Sequence, residues 1–198
     1  MRVNWTRTVD PVLDPLTLSE AKGQARLTHD DENGVLKSFI RASTEAAEVY
    51  LGYGLLTQTI RLTGDEWPER IWLPRARVLQ SVTSVEYYDT TGALQTLAST
   101  QYVADDTTRP ASIVRAANVS WPALQSTRDA WRWRVTYVVG WTSAAQIPAG
   151  IKLGLAMYVT HLDENRSGTD TDATVARVAA EQKWSDRLSV PAYRSAGA

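Results

Sequence analysis

His161 and Glu164 stand three residues apart, a spacing that on a helix presents an imidazole and a carboxylate to one side, as half of a metal site would. The chain has two His and no Cys, so the remaining ligands would have to be oxygens from elsewhere. The plainer reading is a His at the edge of a packed helix beside a solvated Glu. Asp170-Thr171-Asp172 has the form of an acidic pair for a divalent cation, but its Ser/Thr/Gly-rich setting favours Asx turns. Asp30-Asp31-Glu32 and Asp105-Asp106 are acidic clusters that a helix N-terminus and a turn explain without catalysis. Paired carboxylates for glycoside hydrolysis need a set separation in space, which spacing along the chain does not supply. There is no Gly-x-Ser-x-Gly elbow, no phosphate loop and no dinucleotide glycine pattern, and His29 and His161 are the two imidazoles that could serve as a base. These residues predict no catalytic centre, no metal and no cofactor.

The aromatic residues are the other chemical resource, with eight Trp against one Phe. Trp brings large area and an N–H that wants a partner, so it anchors both cores and interfaces. Trp131-Arg132-Trp133-Arg134 could stack bases and clamp phosphates, as in single-strand binders. Alternation offers a simpler account, in which Trp131, Trp133, Val135, Tyr137 and Val139 share one face of a strand and Arg132, Arg134 and Thr136 the other. A carbohydrate platform built from two Trp rings on one open face is a third possibility. Trp184 is the hardest to place in a core. With Ala176, Ala180 and Leu188 it forms a thin stripe at steps of four, which either folds back on its own domain or docks on another protein.

Composition bounds these choices. The 198 residues are 43% apolar and 22% charged, as in an ordinary globular chain. Lys plus Arg total 21 against 22 for Asp plus Glu, a net charge of −1, so a strongly basic nucleic-acid binder is not expected. The lack of Cys removes disulfide scaffolds, thiolate metal sites and thiol nucleophiles, and suits a reducing cytoplasm. Met1 to Asp10 carries charges with no apolar stretch behind them, so no signal peptide is read, and no apolar run approaches the roughly 20 residues a bilayer demands.

The elements that must position these side chains fall into an α+β order. Thr17-Leu18-Ser19-Glu20 reads as a capping box opening a short helix that ends near Leu27. Asp30 or Asp31 is placed to cap a longer helix with the stripe Leu36, Phe39, Ile40, Ser43, Ala47, Tyr50 and Leu51, stopped by Gly52 and Gly54. The period then drops to two. Gln58, Ile60 and Leu62 alternate, Val82 to Tyr88 is rich in β-branched and aromatic residues, and Asp89-Thr90-Thr91-Gly92 makes a turn before Leu94 to Leu97. Tyr102-Val103, Ser112 to Val114 and Trp133 to Val139 add strands, with Pro68, Pro74, Pro110 and Pro122 between them. Helical spacing returns after Pro148 with Ile151, Leu155, Tyr158, Val159 and Leu162.

The expected architecture is a small helical bundle with an inserted antiparallel β-sheet or sandwich domain and a C-terminal helical arm. Its segments are residues 1–16 (N-terminal segment), 17–56 (helical), 57–142 (β domain), 147–166 (helix completing the bundle) and 167–198 (linker and arm).

The order of motifs resembles the head–tail connector (adaptor) proteins of tailed phages, including the adaptors of phage-like gene transfer agents. The resemblance is carried by Thr17-Leu18-Ser19-Glu20-Ala21-Lys22, Tyr53 to Thr59, Trp67-Pro68 and Ile71 to Arg75. It continues through Val78 to Val85, Tyr87 to Gly92, Tyr102-Val103, Arg109 to Ile113 and Trp121-Pro122, and closes with Val135 to Gly140, Ile147-Pro148 and His161 to Arg166. Val138-Val139-Gly140-Trp141 departs from the run usual at that place, and the chain after Ser167 matches poorly.

The resemblance implies a non-enzymatic subunit of the virion neck, assembled in the bacterial cytoplasm. It would form a homo-oligomeric ring, usually twelvefold, between the portal protein and a tail-side stopper or terminator, with DNA passing through the lumen without specific binding and no membrane involved. Contact with the portal is expected from the C-terminal arm, with Trp184, Leu188, Val190, Tyr193 and Arg194 as docking residues. The rival readings are a Trp-using carbohydrate-binding module and a small metal-dependent enzyme working through His161.

Overall fold

A computed structural model describes residues 2–166 except Asp129. The chain divides into two compact units. One takes residues 1–11 and 57–140 and the other residues 12–56 and 141–198.

The first unit is antiparallel β throughout. Its larger sheet runs in the order β1 (Val3–Val9), β2 (Gln58–Gly64), β8 (Trp133–Val139), β4 (Leu79–Tyr88), β5 (Leu94–Thr96), and its smaller sheet in the order β3 (Arg70–Trp72), β7 (Ser112–Arg115), β6 (Tyr102–Asp105). Strand β8 sits at the centre, and its sequence says why. Trp133, Val135, Tyr137 and Val139 are fully buried at alternate positions, while Arg134, Thr136 and Val138 are half-buried on the opposite face. Opposite them in register, Ile60 meets Tyr137, Leu62 meets Val135 and Gly64 meets Trp133. Ile71 and Ile113 from the smaller sheet join this face, so the two sheets share one apolar core. On the reverse face of β8, Arg134 forms a fork with Glu86 of β4, at 2.6 and 3.0 Å.

The expected turn at Asp89 joins β4 to β5. One Asp89 carboxylate oxygen accepts from the Thr91 N–H, the Thr91 hydroxyl and the Ala93 N–H, and Gly92 takes the left-handed φ of 87° that the turn requires. Residues 3–9 gave no pattern that assigned them an element, yet they form β1 by pairing with β2. Trp131 lies before β8 rather than on its buried face, half-buried against Tyr88 and two arginines. The alternation sets in at Trp133.

The second unit holds three helices: α1 (Leu18–Ala25), α2 (Asn33–Leu51) and α3 (Ala149–Glu164). Thr17 caps α1 through the expected capping box with Glu20. The expected cap of α2 is corrected. Its N-cap is Glu32 without a side-chain bond, and no acid lies in its first turn. Asp30 instead accepts from the Lys22 ammonium and the Asn33 amide, both on one carboxylate oxygen, and makes no cap bond to the helix. Leu36, Ile40, Ser43, Ala47 and Leu51 form the buried stripe, whereas Tyr50 is exposed.

Glu48 is an unforeseen member of that stripe. It lies buried and accepts the Leu55 N–H at 2.8 Å, just past the left-handed cap at Gly52. Ala156 and Val159 of α3 pack with Leu36, Ile40 and Ala21, and Ile151 and Leu155 pack with Ala47, Leu51 and Leu55. The Glu32 carboxylate, beside the start of α2, grips Arg166 beyond the end of α3 in a two-bond fork at 2.7 and 2.6 Å. The expected α+β class is therefore present as three helices and two antiparallel sheets; the C-terminal arm lies outside the described residues.

Candidate functional site

Of the titratable side chains singled out in the sequence, Asp170 and Asp172 lie outside the described residues, and most of the others hold structure together. His161 is buried on α3, with its Nδ1 2.9 Å from the Asn165 amide nitrogen and its ring against Tyr158, while Glu164 is exposed. Among the described residues no group of three or more His, Asp or Glu could hold a metal ion. Asp105 accepts from Thr107 and from Arg70 at 2.7 Å, which holds its carboxyl down at about 2. Asp89 is held at about 2 by Thr91 and Gln95, and Glu20 at about 2 by Lys152 and Thr17. The Lys22 ammonium lowers Asp30, and the Arg166 guanidinium lowers Glu32.

Every described carboxylate that departs from its ordinary range thus moves down, toward the ionised form. A general acid needs the opposite shift, upward through burial or a like charge. Tyr137 moves the other way: burial raises its phenol, whose hydroxyl donates to the Pro74 carbonyl at 2.8 Å as a core contact.

The aromatic wealth is likewise committed inward. Trp67 stacks on Trp121 at 4.7 Å between centroids and on Trp133 at 5.3 Å, giving a run of three indoles. Each N–H has a backbone acceptor: Trp67 donates to the Pro122 carbonyl, Trp121 to that of Pro68 and Trp133 to that of Glu66. Trp67 and Trp121 thereby bond reciprocally across the two Trp-Pro dipeptides, tying residues 67–68 to 121–122. Among the described residues the two Trp side chains that remain most open, Trp5 and Trp72, lie on different sheets, each covered by an arginine, Arg75 at 5.0 Å and Arg70 at 5.3 Å. A shared Trp platform for a sugar is not built from them.

What the described residues leave open is apolar surface. On the helical unit, Val35 and Val49 of α2 are 42% and 77% exposed, and fourteen residues apart they fall on one side of the helix, with Ala42 between. Tyr50, and Leu153 on α3, add to the exposed apolar side chains. On the β unit, Trp72 and Val103 stand on β3 and β6 of the smaller sheet. Large apolar side chains are thus left in water on both units. The sequence stripe of α2 identified the buried face and, by complement, the open one. The expected docking residues Trp184, Leu188, Val190, Tyr193 and Arg194 lie outside the described residues. No helix among the described residues is long and apolar enough to cross a membrane.

Comparison with known proteins gives this geometry its context. Residues 15–109 match the family described as Phage gp6-like head-tail connector protein. No curated protein matches the chain in sequence. Among solved structures, the fold is similar to a chain in the virion of a native gene transfer agent particle, with a TM-score of 0.72 and 19% identity over 93% of this chain and 95% of that one. It is also similar to a chain in the neck of an empty particle of this kind computed with C6 symmetry, at TM-score 0.68 and 21% identity, again over 93% and 95%. A third likeness is to a chain in the neck of the native particle computed with C12 symmetry, at TM-score 0.65 and 18% identity over 93% and 94%.

Proposed function

We propose that this chain, whose residues 15–109 match the Phage gp6-like head-tail connector family, is a structural subunit of the neck of a tailed phage or gene transfer agent particle, joining head to tail as a ring. The family match carries the reading. The likeness of fold to chains in neck structures computed with C6 and C12 symmetry supports a closed ring, and twelve is the count proposed. A head-to-tail ring needs two unlike complementary patches on each subunit and a rotation that closes. The exposed Val35 and Val49 on one unit and Trp72 and Val103 on the other offer unlike surfaces of that kind. Carboxylates fixed in the ionised state by local partners suit a scaffold, and a net charge of −1 suits a lumen through which DNA must pass without sticking.

In this reading the ring sits between the portal protein and a tail-side stopper or terminator. The C-terminal arm, with Trp184, Leu188, Val190, Tyr193 and Arg194, docks on the portal. A particle preparation from a strain lacking the gene tests the role: heads should accumulate without tails, and complementation with the Trp184→Ala variant should restore few joined particles although the purified variant melts as the parent does. Normal tailed particles from the deletion strain would refute the connector role. Normal joining by the variant would refute the docking residue alone.

A further inference from the structure

Several arginines of the β unit end on carboxylates: Arg7 on Asp10, Arg70 on Asp105 and Arg134 on Glu86. Arg128 and Arg132 are held differently. The Nε of Arg128 donates to the Trp131 carbonyl at 2.8 Å, and its guanidinium lies 3.8 Å from the centre of the Tyr88 ring. Arg132 donates through Nε to the Arg128 carbonyl at 3.3 Å and through one terminal nitrogen to the Ser126 carbonyl at 2.9 Å. Neither meets a carboxylate among the described residues. Backbone carbonyls and ring faces therefore fix two cations in place and leave terminal N–H groups to spare, at the entropic advantage of a fork already ordered.

Both line an open cleft of about 700 Å³, together with Arg2, Asn4, Asp65 and Trp131. We propose that this cleft binds carboxylate side chains of an acidic protein segment, with Arg128 and Arg132 as the forks that receive them. Two forks fixed at defined points match discrete, planar carboxylates. A nucleic-acid backbone would ask for a longer basic track than this near-neutral chain carries, and Asp65 in the same cleft, whose carboxylate accepts the Arg2 backbone N–H at 2.7 Å, opposes any anion there but can accept a peptide N–H. The proposal does not depend on the connector reading, since it rests on the cleft alone.

The test uses the full chain and a dye-labelled hexaglutamate peptide, followed by fluorescence anisotropy at low salt, with a single-stranded hexanucleotide and inorganic phosphate as competing probes. Hexaglutamate should bind, and the double variant Arg128→Lys with Arg132→Lys, which keeps the charge and loses the forks, should weaken it on the order of tenfold. Equal binding by that variant would reduce the cleft to diffuse charge and overturn the proposal, as would tighter binding of the hexanucleotide or displacement of the peptide by millimolar phosphate. Should the double variant fail to fold, Asp65→Asn decides: removing the repelling charge should tighten hexaglutamate severalfold, and weaker binding would overturn the assignment.

Discussion

Gly64 is the position at which the β core leaves no room. It faces Trp133 across the β2–β8 pairing, and a Cβ built there would lie 2.3 Å from the nearest carbon of the Trp133 indole and 2.5 Å from the next. The ring has nowhere to retreat, because it stacks on Trp67, which stacks on Trp121, and its N–H is tied to the Glu66 carbonyl at 2.7 Å. On backbone grounds alone Ala should improve a strand interior by about 0.5–1 kcal/mol. Against that, forcing a methyl into a packed core costs about 1–3 kcal/mol, and an overlap this deep with a locked ring belongs at the upper end. The net expectation for Gly64→Ala is a loss of about 2 kcal/mol, or roughly 4–8 °C in Tm for a chain of this size.

Urea titration followed by far-UV circular dichroism measures the loss, and near-UV ellipticity reports whether the indole stack has shifted. Trp133→Phe supplies the decisive arm, since the closest struck atom, Cζ2, belongs to the outer ring of the indole that Phe lacks. The double variant should be less damaged than the two single losses added together, by about 1–2 kcal/mol of coupling. A neutral or stabilising Gly64→Ala, or strict additivity in the cycle, would show that the close approach is not what holds this pair.

Gly23 in α1 and Gly34 in α2 have open space where a Cβ would go, so Gly23→Ala and Gly34→Ala should each stabilise by about 0.5–1 kcal/mol, read in the same urea titration. Glu48→Ala should cost about 1–3 kcal/mol because it orphans the buried Leu55 N–H, whereas Glu48→Gln keeps an acceptor and should cost less. Glu20 is lowered from 4.5 to about 2, chiefly by its bond to Lys152. Its contribution to stability is therefore complete above about pH 4.5 and fades as the pH falls toward 2, when the folded form is at last protonated. In Lys152→Gln the carboxyl carbon of Glu20, followed by NMR titration, should move its midpoint back up toward the ordinary value.

The sequence-based reading reached the elements whose signals are local. The Thr17 capping box, the Asp89 turn and the alternation from Trp133 to Val139 each depend on residues within a few positions of one another, and each is present as read. What escaped depends on partners far along the chain. Strand β1 has little alternation of its own, with Val3 and Arg7 half-buried and the rest exposed, because it is an edge strand that exists by pairing with β2 more than fifty residues on. The burial of Glu48 depends on an N–H seven residues away beyond a helix stop, and the α2 cap was misassigned because Asp30 had a better offer from Lys22. The indole stack joins Trp67, Trp121 and Trp133, and no local rule pairs positions so distant. The likeness of the Trp-Pro dipeptides at 67–68 and 121–122 was not read as a pairing.

The matched stretch, residues 15–109, ends before either unit is complete. Strand β8 lies wholly beyond it, yet β8 is the strand between β2 and β4, both inside it; without β8 those two strands would each present an unpaired ladder in the middle of the sheet. Strand β7 stands in the same relation to β3 and β6. Helix α3 also lies beyond it, and Ala156 and Val159 cover the apolar stripe that Leu36, Ile40 and Ala21 expose from within. A polypeptide that carries the matched segment must therefore supply a central strand, a bridging strand and a third helix from its remainder, or bury those faces against something else. Here residues 110–166 supply all three. The structural unit that contains the matched segment accordingly runs at least to Arg166, whose fork with Glu32 ties the end of that remainder to the start of α2.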